Sequence, residues 1–226
     1  MAIAFPTYAT TGRTAYATTH VANMPSGIVS GELVIAVAFI TDPTRHLLAP
    51  TGWDVGNYNN VDSTYRTFQY LFRIADGTEG ATETFTYSAS SDQASSVIFR
   101  VTGANTSDPF NTNNYVFQTD VSEATWTTDA NSITGIDSSN NVILFAGGTG
   151  GVRTLTTPDT GQTLIASVND GNSIHVLYES SPGSGNTAYS NEMSGGYTRH
   201  ELLLEIKAAA AGGGGIEILR RRTEGS

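Results

Sequence analysis

Four histidines, His20, His46, His175 and His200, are the residues of this chain best suited to proton transfer or metal binding near neutral pH. None lies two or four residues from another. No His-Glu-x-x-His pattern occurs, and no facial triad follows from the spacing, so they predict no metal site. His175 alternates with Val176 and is expected to face solvent opposite a core, and His200 sits just before a final strand. All four read as loop or surface residues rather than bases. Gly147-Gly-Thr-Gly-Gly151 follows the apolar run Val142 to Ala146, which is where a phosphate-binding loop would stand. It lacks Gly-Lys-Ser/Thr, and Val152-Arg-Thr-Leu-Thr156 opens no helix, so it reads as a turn or flexible surface loop. No Gly-x-Ser-x-Gly nucleophile elbow occurs, and Ser181-Pro-Gly-Ser-Gly185 belongs to a loop.

The carboxylates fall mostly in turns, where aspartate bonds its own backbone. Asp76-Gly-Thr-Glu79 offers oxygens for Ca²⁺ without the alternating ligands of a calcium loop. Paired acids for glycoside cleavage require a set separation across a cleft, which spacing in sequence does not supply. Trp53, Tyr58, Tyr65 and Trp126 lie in or near loops and are of the type that stacks on sugars. Trp53 follows Pro50-Thr-Gly52, a turn that would fold it over a sheet, and Trp126 stands between threonines. Both are kept as candidates for glycan stacking, with core capping expected of Trp53. The reading assigns no catalytic residue, no cofactor and no metal, and expects no enzyme.

The elements behind these residues are written at period two, the signature of strands. Gly31 to Ile40, Ala49 to Trp53, Phe68 to Phe72 and Ser96 to Val101 recur in outline as Asn141 to Ala146, Thr157 to Gly161, Ile174 to Tyr178 and Leu202 to Ile206. Hydrophobic residues make up 38% and charged residues only 14%, so the polar surface must be largely Thr, Ser, Asn and Gly, which favours strands over Glu- and Lys-rich helices. The expected fold is all-β, an antiparallel β-sandwich of jelly-roll type with a flexible C-terminal tail. Residues 1–13 read as an N-terminal arm and 14–207 as the sandwich, with two similar halves at 24–104 and 132–207. Each half is expected to hold four or five strands and to share one core. Thr41 to Thr64 reads as long and irregular, Ala130 to Ile133 as a weak strand, and Asn169-Asp-Gly171 as a hairpin turn.

The net charge of −10 repels a phosphate backbone, which argues against nucleic-acid binding by the main body. The chain has no cysteine and hence no disulfide, thiol nucleophile or thiolate metal site. No apolar run reaches the roughly 18 residues of a membrane helix, and Met1-Ala-Ile-Ala-Phe-Pro6 does not read as a secretory signal. Residues 208–226 read as a tail. Ala208-Ala-Ala-Ala-Gly-Gly-Gly-Gly215 is a hinge, followed by Ile216, Ile218 and Leu219, then Arg220, Arg221 and Arg222. This apolar-basic tip either docks on a partner as a short added strand or serves as a solubilising extension.

The stretches Ser26 to Phe39, Ala49-Pro-Thr-Gly-Trp53, Tyr70 to Glu79, Thr84-Phe-Thr-Tyr-Ser88 and Ile98 to Ala104 together resemble the β-sandwich modules of tailed-phage structural proteins. The resemblance spans roughly residues 24–104, and the later half matches it in outline only. It implies a virion component and brings no catalytic residue with it. The expected role is that of a capsid decoration or cement protein on the capsid surface, held to virion proteins by subunit contacts and the C-terminal tether. A homo-oligomer is expected, with a trimer fitting local three-fold points. The alternative is a glycan-binding module associated with a tail or fibre.

Overall fold

The computed structural model describes residues 2–59, 66–90, 92–120, 125–127, 141–158, 161–180, 190–193 and 199–210. For residues 59, 112–120, 125–127, 190–193 and 199 it describes the backbone alone. The described residues form strands and no helix, so none of them makes a helix long and apolar enough to cross a membrane.

Eight strands precede residue 102. They are β1 (Tyr8–Thr11), β2 (Thr19–Asn23), β3 (Leu33–Ile40), β4 (Leu47–Leu48), β5 (Asp54–Asn59), β6 (Thr67–Ile74), β7 (Thr82–Tyr87) and β8 (Ala94–Val101). Eight follow: β9 (Phe110–Asp120), β10 (Thr125–Thr127), β11 (Val142–Gly150), β12 (Leu155–Thr157), β13 (Thr163–Asp170), β14 (Asn172–Ser180), β15 (Ser190–Met193) and β16 (Arg199–Ile206). All named pairings are antiparallel. The first set makes a five-stranded sheet, β1-β8-β3-β6-β5, and a three-stranded sheet, β2-β7-β4. The second makes β9-β16-β11-β14-β13 and β10-β15-β12.

Strand for strand, the second set repeats the first. Leu33 of β3 faces Ile74 of β6 and Val101 of β8, as Val142 of β11 faces Ser180 of β14 and Ile206 of β16. The repetition anticipated from the hydrophobic pattern is therefore one of topology, but the expectation of four or five strands per half falls short. The stretch Thr41 to Thr64 contains β4 and β5, which period-two patterning does not reveal because β4 has only two residues and β5 is a largely polar edge strand. Ala130 to Ile133 lies outside the described residues. The hairpin at Asn169-Asp-Gly171 forms as expected, with Gly171 at φ +73° joining β13 to β14.

The two five-stranded sheets pack face to face. Leu33, Ile35, Val37, Phe39, Phe68, Val97 and Phe99 meet Val142, Leu144, Ala146, Ile174, Val176, Leu202 and Leu204 in one core. Strand β8 lies against β14, and its counterpart β16 lies against β6, so the halves are related by a pseudo-twofold axis. Phe5 packs at a tilt on Tyr178 of the opposite half at 4.6 Å between ring centres, and its counterpart Phe110 meets Phe72 edge-on at 4.8 Å. On its other face the first sheet packs against β2-β7-β4 through Val34, Ala36, Ala38, Ile40, Leu47, Trp53, Phe85 and Ile98. All eight residues of β3 are buried, because the strand has protein on both sides. Each fully buried side chain of this size contributes about 1.5–3 kcal/mol relative to exposure.

Three segments differ from their sequence reading. Gly147 to Gly150 is the distal part of β11 and not a loop; all of it is buried. Gly148 sits where the two sheets touch, and a Cβ there would overlap Phe39 and stand 3.0 Å from Phe68. The glycine is a packing requirement, with nothing to do with phosphate. Within the segment read as an arm, Tyr8–Thr11 pair with β8, Ile3 is buried, and Ala4 bridges Thr102. At the other end Ala208 donates its N–H to Asn141 Oδ1 (2.9 Å) and Ala209 donates to Gly103 O (2.8 Å), so the body extends beyond Lys207.

Candidate functional site

Three of the four histidines expected at the surface are fully buried: His20, His175 and His200. His20, on β2, hydrogen-bonds Ser96 of β8 at 2.8 Å and thereby ties the small sheet to the large one. Its ring sits among apolar groups, and burial lowers its pKa to about 4. His200 packs edge-on to Phe39 in the central core. Alternation with its neighbour Val176 placed His175 correctly on the face opposite the central core. That face is itself covered, which periodicity does not register.

Ser167, His175, Gly147 and Glu201 stand in register across β13, β14, β11 and β16. Serine, histidine and carboxylate in one row are the parts of a nucleophilic site, so the geometry needs testing. The Arg153 carbonyl lies 3.2 Å from His175 Nε2 and only accepts, so Nε2 carries the proton and donates it. Nδ1 then accepts from the Ser167 hydroxyl at 2.7 Å. Burial lowers the His175 pKa to about 4, against a raising effect from the Arg153 carbonyl. A base that weak takes little of a serine proton near pH 7. The counterpart of His175 in the first half is Gln69, whose side chain accepts from Leu47 N–H (2.7 Å) and donates to Leu47 O (2.8 Å). Both residues fasten a large sheet to the backbone entering or forming the small one, and the role is structural.

The same divergence of equivalent positions appears at the other end of these strands. Arg100 of β8 donates to Glu32 through two contacts of 2.8 and 2.6 Å. At the matching positions Glu205 of β16 accepts from Asn141 at 2.6 Å, and also from Asn111 at 2.9 Å. The charge is reversed and the bond between the strands is kept.

Trp53, a candidate for sugar stacking, is 5% exposed. Its ring packs on Phe85, its Nε1–H donates to Glu83 at 2.9 Å, and Arg73 lies over its face at 5.9 Å. It caps the core and presents no platform to a glycan. Trp53→Phe keeps the ring and removes the donor, and is expected to lower stability by about 1 kcal/mol in urea unfolding. Trp126 pairs with Asn191 within β10-β15; its side chain lies outside the described residues. The docking residues Ile216, Ile218, Leu219, Arg220, Arg221 and Arg222 also lie outside them.

The described surface carries two features suited to contact. The outward face of β2-β7-β4 is uncharged at its centre, with Val21 beside Thr84 and with Thr19 and Leu48 flanking Thr86. Val21 is 49% exposed and Leu48 45%. An open groove of about 330 Å³ lies where the halves join, floored by Phe72 and Phe110 and edged by Ile74, Asp54 and Asp108. No group of three or more His, Asp or Glu side chains suited to a metal occurs among the described residues.

No protein-family model matches the chain, and neither the curated proteins nor the solved structures contain a match.

Proposed function

We propose that this chain is a non-catalytic virion structural protein, a capsid decoration or cement protein that reinforces a shell by bridging its subunits. The observation that carries the reading is the duplicated body, two equivalent units fused back to back about a pseudo-twofold axis. Such a body is stiff, because its central sheets are packed on both faces, and it offers paired outer surfaces to paired neighbours. The surface of β2-β7-β4, threonine-rich with exposed Val21 and Leu48, is of the kind that buries against another protein with little desolvation cost.

Each half is read as a jelly roll. Strand order β1-β8-β3-β6 opposite β2-β7-β4 is that of two nested Greek keys, with β5 joined to β6 instead of β4. This agrees with the phage-module resemblance over residues 24–104. The tail from residue 211 onward is read as a tether, with Ile216 to Leu219 adding a strand to a neighbour and the three arginines meeting its carboxylates. A trimer at a local three-fold point is the proposed assembly, on the capsid surface.

Truncation tests the tether. Cutting after Ala210 preserves the bonds made by Ala208 and Ala209. The truncated protein is expected to bind purified expanded capsids at least about tenfold more weakly than the full chain, read by co-sedimentation. Equal binding by both would remove the tether. Binding of neither to capsids, with retention on glycans that depends on Trp126, would replace decoration with sugar recognition.

A further inference from the structure

Arg13 and Arg66 stand apart from the other cations of the body. Arg45 pairs with Asp42 and Asp92, Arg73 with Asp76, Glu79 and Glu83, Arg100 with Glu32, and Lys207 with Asp108. Among the described residues neither the Arg13 nor the Arg66 guanidinium has an ion pair or a hydrogen bond. In a chain with 21 acidic residues against 11 basic ones, that is the less expected outcome.

Both cations lie at one end of the stacked sheets, each resting on a glycine of the opposite half. Arg66 directly precedes β6 and lies on Gly150 at the end of β11, where a Cβ would stand 2.8 Å from its Nε and 2.9 Å from its Nη2. Arg13 follows β1 and lies on Gly171 in the β13–β14 hairpin, where a Cβ would overlap its Nε. Arg66 is partly buried, and its proton affinity is lowered first by that burial and then by the charge of Arg13, with Asp92 and Tyr16 opposing. Two acids lie nearby without forming an ion pair with either arginine: the Asp92 charge acts on Arg66, and its buried Oδ2 makes no hydrogen bond among the described residues. Asp92 accepts from Thr41 at 2.5 Å and faces Arg45, and the carboxylate of Asp170 lies over Gly12. Holding two like charges together, one of them partly desolvated, costs stability unless an anion joins them.

We propose that Arg13 and Arg66 form a binding site for a single oxyanion group, a carboxylate or a phosphate, gripped between two guanidinium forks over Gly150 and Gly171. Guanidinium presents paired N–H donors that match two oxygens of such a group. Two cations suit one acid group and not a polyanion, in keeping with the net charge of −10. The site is independent of where in a particle the protein sits.

The test uses the full chain, unfolded by urea at pH 7.5 in chloride of constant ionic strength, with inorganic phosphate or acetate replacing part of the chloride. The expected result is a saturable rise in the unfolding midpoint at millimolar anion. A larger rise with acetate identifies a carboxylate ligand, and a larger rise with phosphate a phosphate ligand. Arg13→Gln and Arg66→Gln should each weaken the apparent affinity about tenfold or more. In chloride alone, Arg66→Gln should hold or raise stability, whereas Arg100→Gln lowers it. Absence of a saturable rise, or its survival in both variants, would overturn the proposal. So would an Arg66→Gln loss in chloride as large as that of Arg100→Gln, since Arg66 would then be a packing residue.

Discussion

Gly148→Val is expected to lower the stability of the whole molecule by about 3 kcal/mol or more, or to prevent the halves from closing. Gly148 lies in the middle of the central interface, and the new Cβ would meet Phe39 and Phe68, both fully buried. Neither ring has free space to enter, because β3 and β6 are packed on both faces. The sheets must therefore separate, and contacts across the interface weaken together. Valine suits a strand, so backbone preference does not account for the loss. Gly80→Ala is the control, since its Cβ would stand 3.6 Å from the nearest atom, and a change of under about 0.5 kcal/mol is expected. Phe39→Leu should partly rescue Gly148→Ala in a double-mutant cycle of urea unfolding, a coupling that a purely local strand defect would not produce.

Stability is also expected to fall steeply between about pH 6.5 and pH 4. His20 and His175 have folded pKa values near 4, against 6.5 for the free side chain. Above pH 6.5 both rings are neutral in either state, and their contribution is fully present. As the pH drops below 6.5 the unfolded chain takes up two protons that the folded chain refuses, so unfolding becomes easier. The loss levels off near pH 4, where the folded rings protonate as well. A shift of this size corresponds to about 3 kcal/mol per histidine at most. Glu32, Asp42 and Asp76 have carboxyl pKa values below their usual range through hydrogen bonds and neighbouring arginines, which outweigh desolvation where it opposes them. Their contributions are present above the usual carboxylate range and disappear as the pH falls through and below it, so they overlap the histidine window only at its acid end. His175→Gln isolates the effect, because glutamine does not titrate and offers a donor and an acceptor, as Gln69 does at the equivalent position. Urea midpoints at pH 7, 5.5 and 4.5 should give the variant a clearly shallower slope than the parent chain, with His20 and His46 carrying what remains. Parallel curves would show that His175 does not titrate as its burial requires.

Period-two alternation located β3, β6, β7, β8, β11, β13, β14 and β16, and the recurrence of the same apolar runs exposed the duplication. These are the strands with at least one continuously buried face, so their side chains alone report them. Strands β4 and β5 are absent from that pattern for a physical reason. A two-residue strand has no period, and an edge strand such as β5 keeps polar residues on most positions. Gly147 to Gly150 misled because glycine is equally the residue of flexible loops and of close sheet contact, and at Gly148 only the presence of Phe39 and Phe68 distinguishes them; Gly151 is in a bend, as read. The histidines misled likewise. His20 and His175 read as exposed because they stand opposite a core and a third layer covers them, whereas His200 enters the central core itself, against Phe39.

What the residues determined unaided is the antiparallel all-β architecture, its repetition, and a core built from Val, Ile, Leu and Phe, because local alternation and branched side chains act through each strand separately. Tertiary structure decided which face of each sheet meets the other half, why Gly148 is glycine, and that Arg13 and Arg66 come together without an ion pair among the described residues. Those outcomes depend on contacts between residues more than 50 apart along the chain. No local pattern encodes such contacts, since they arise when two already formed sheets stack and exclude water.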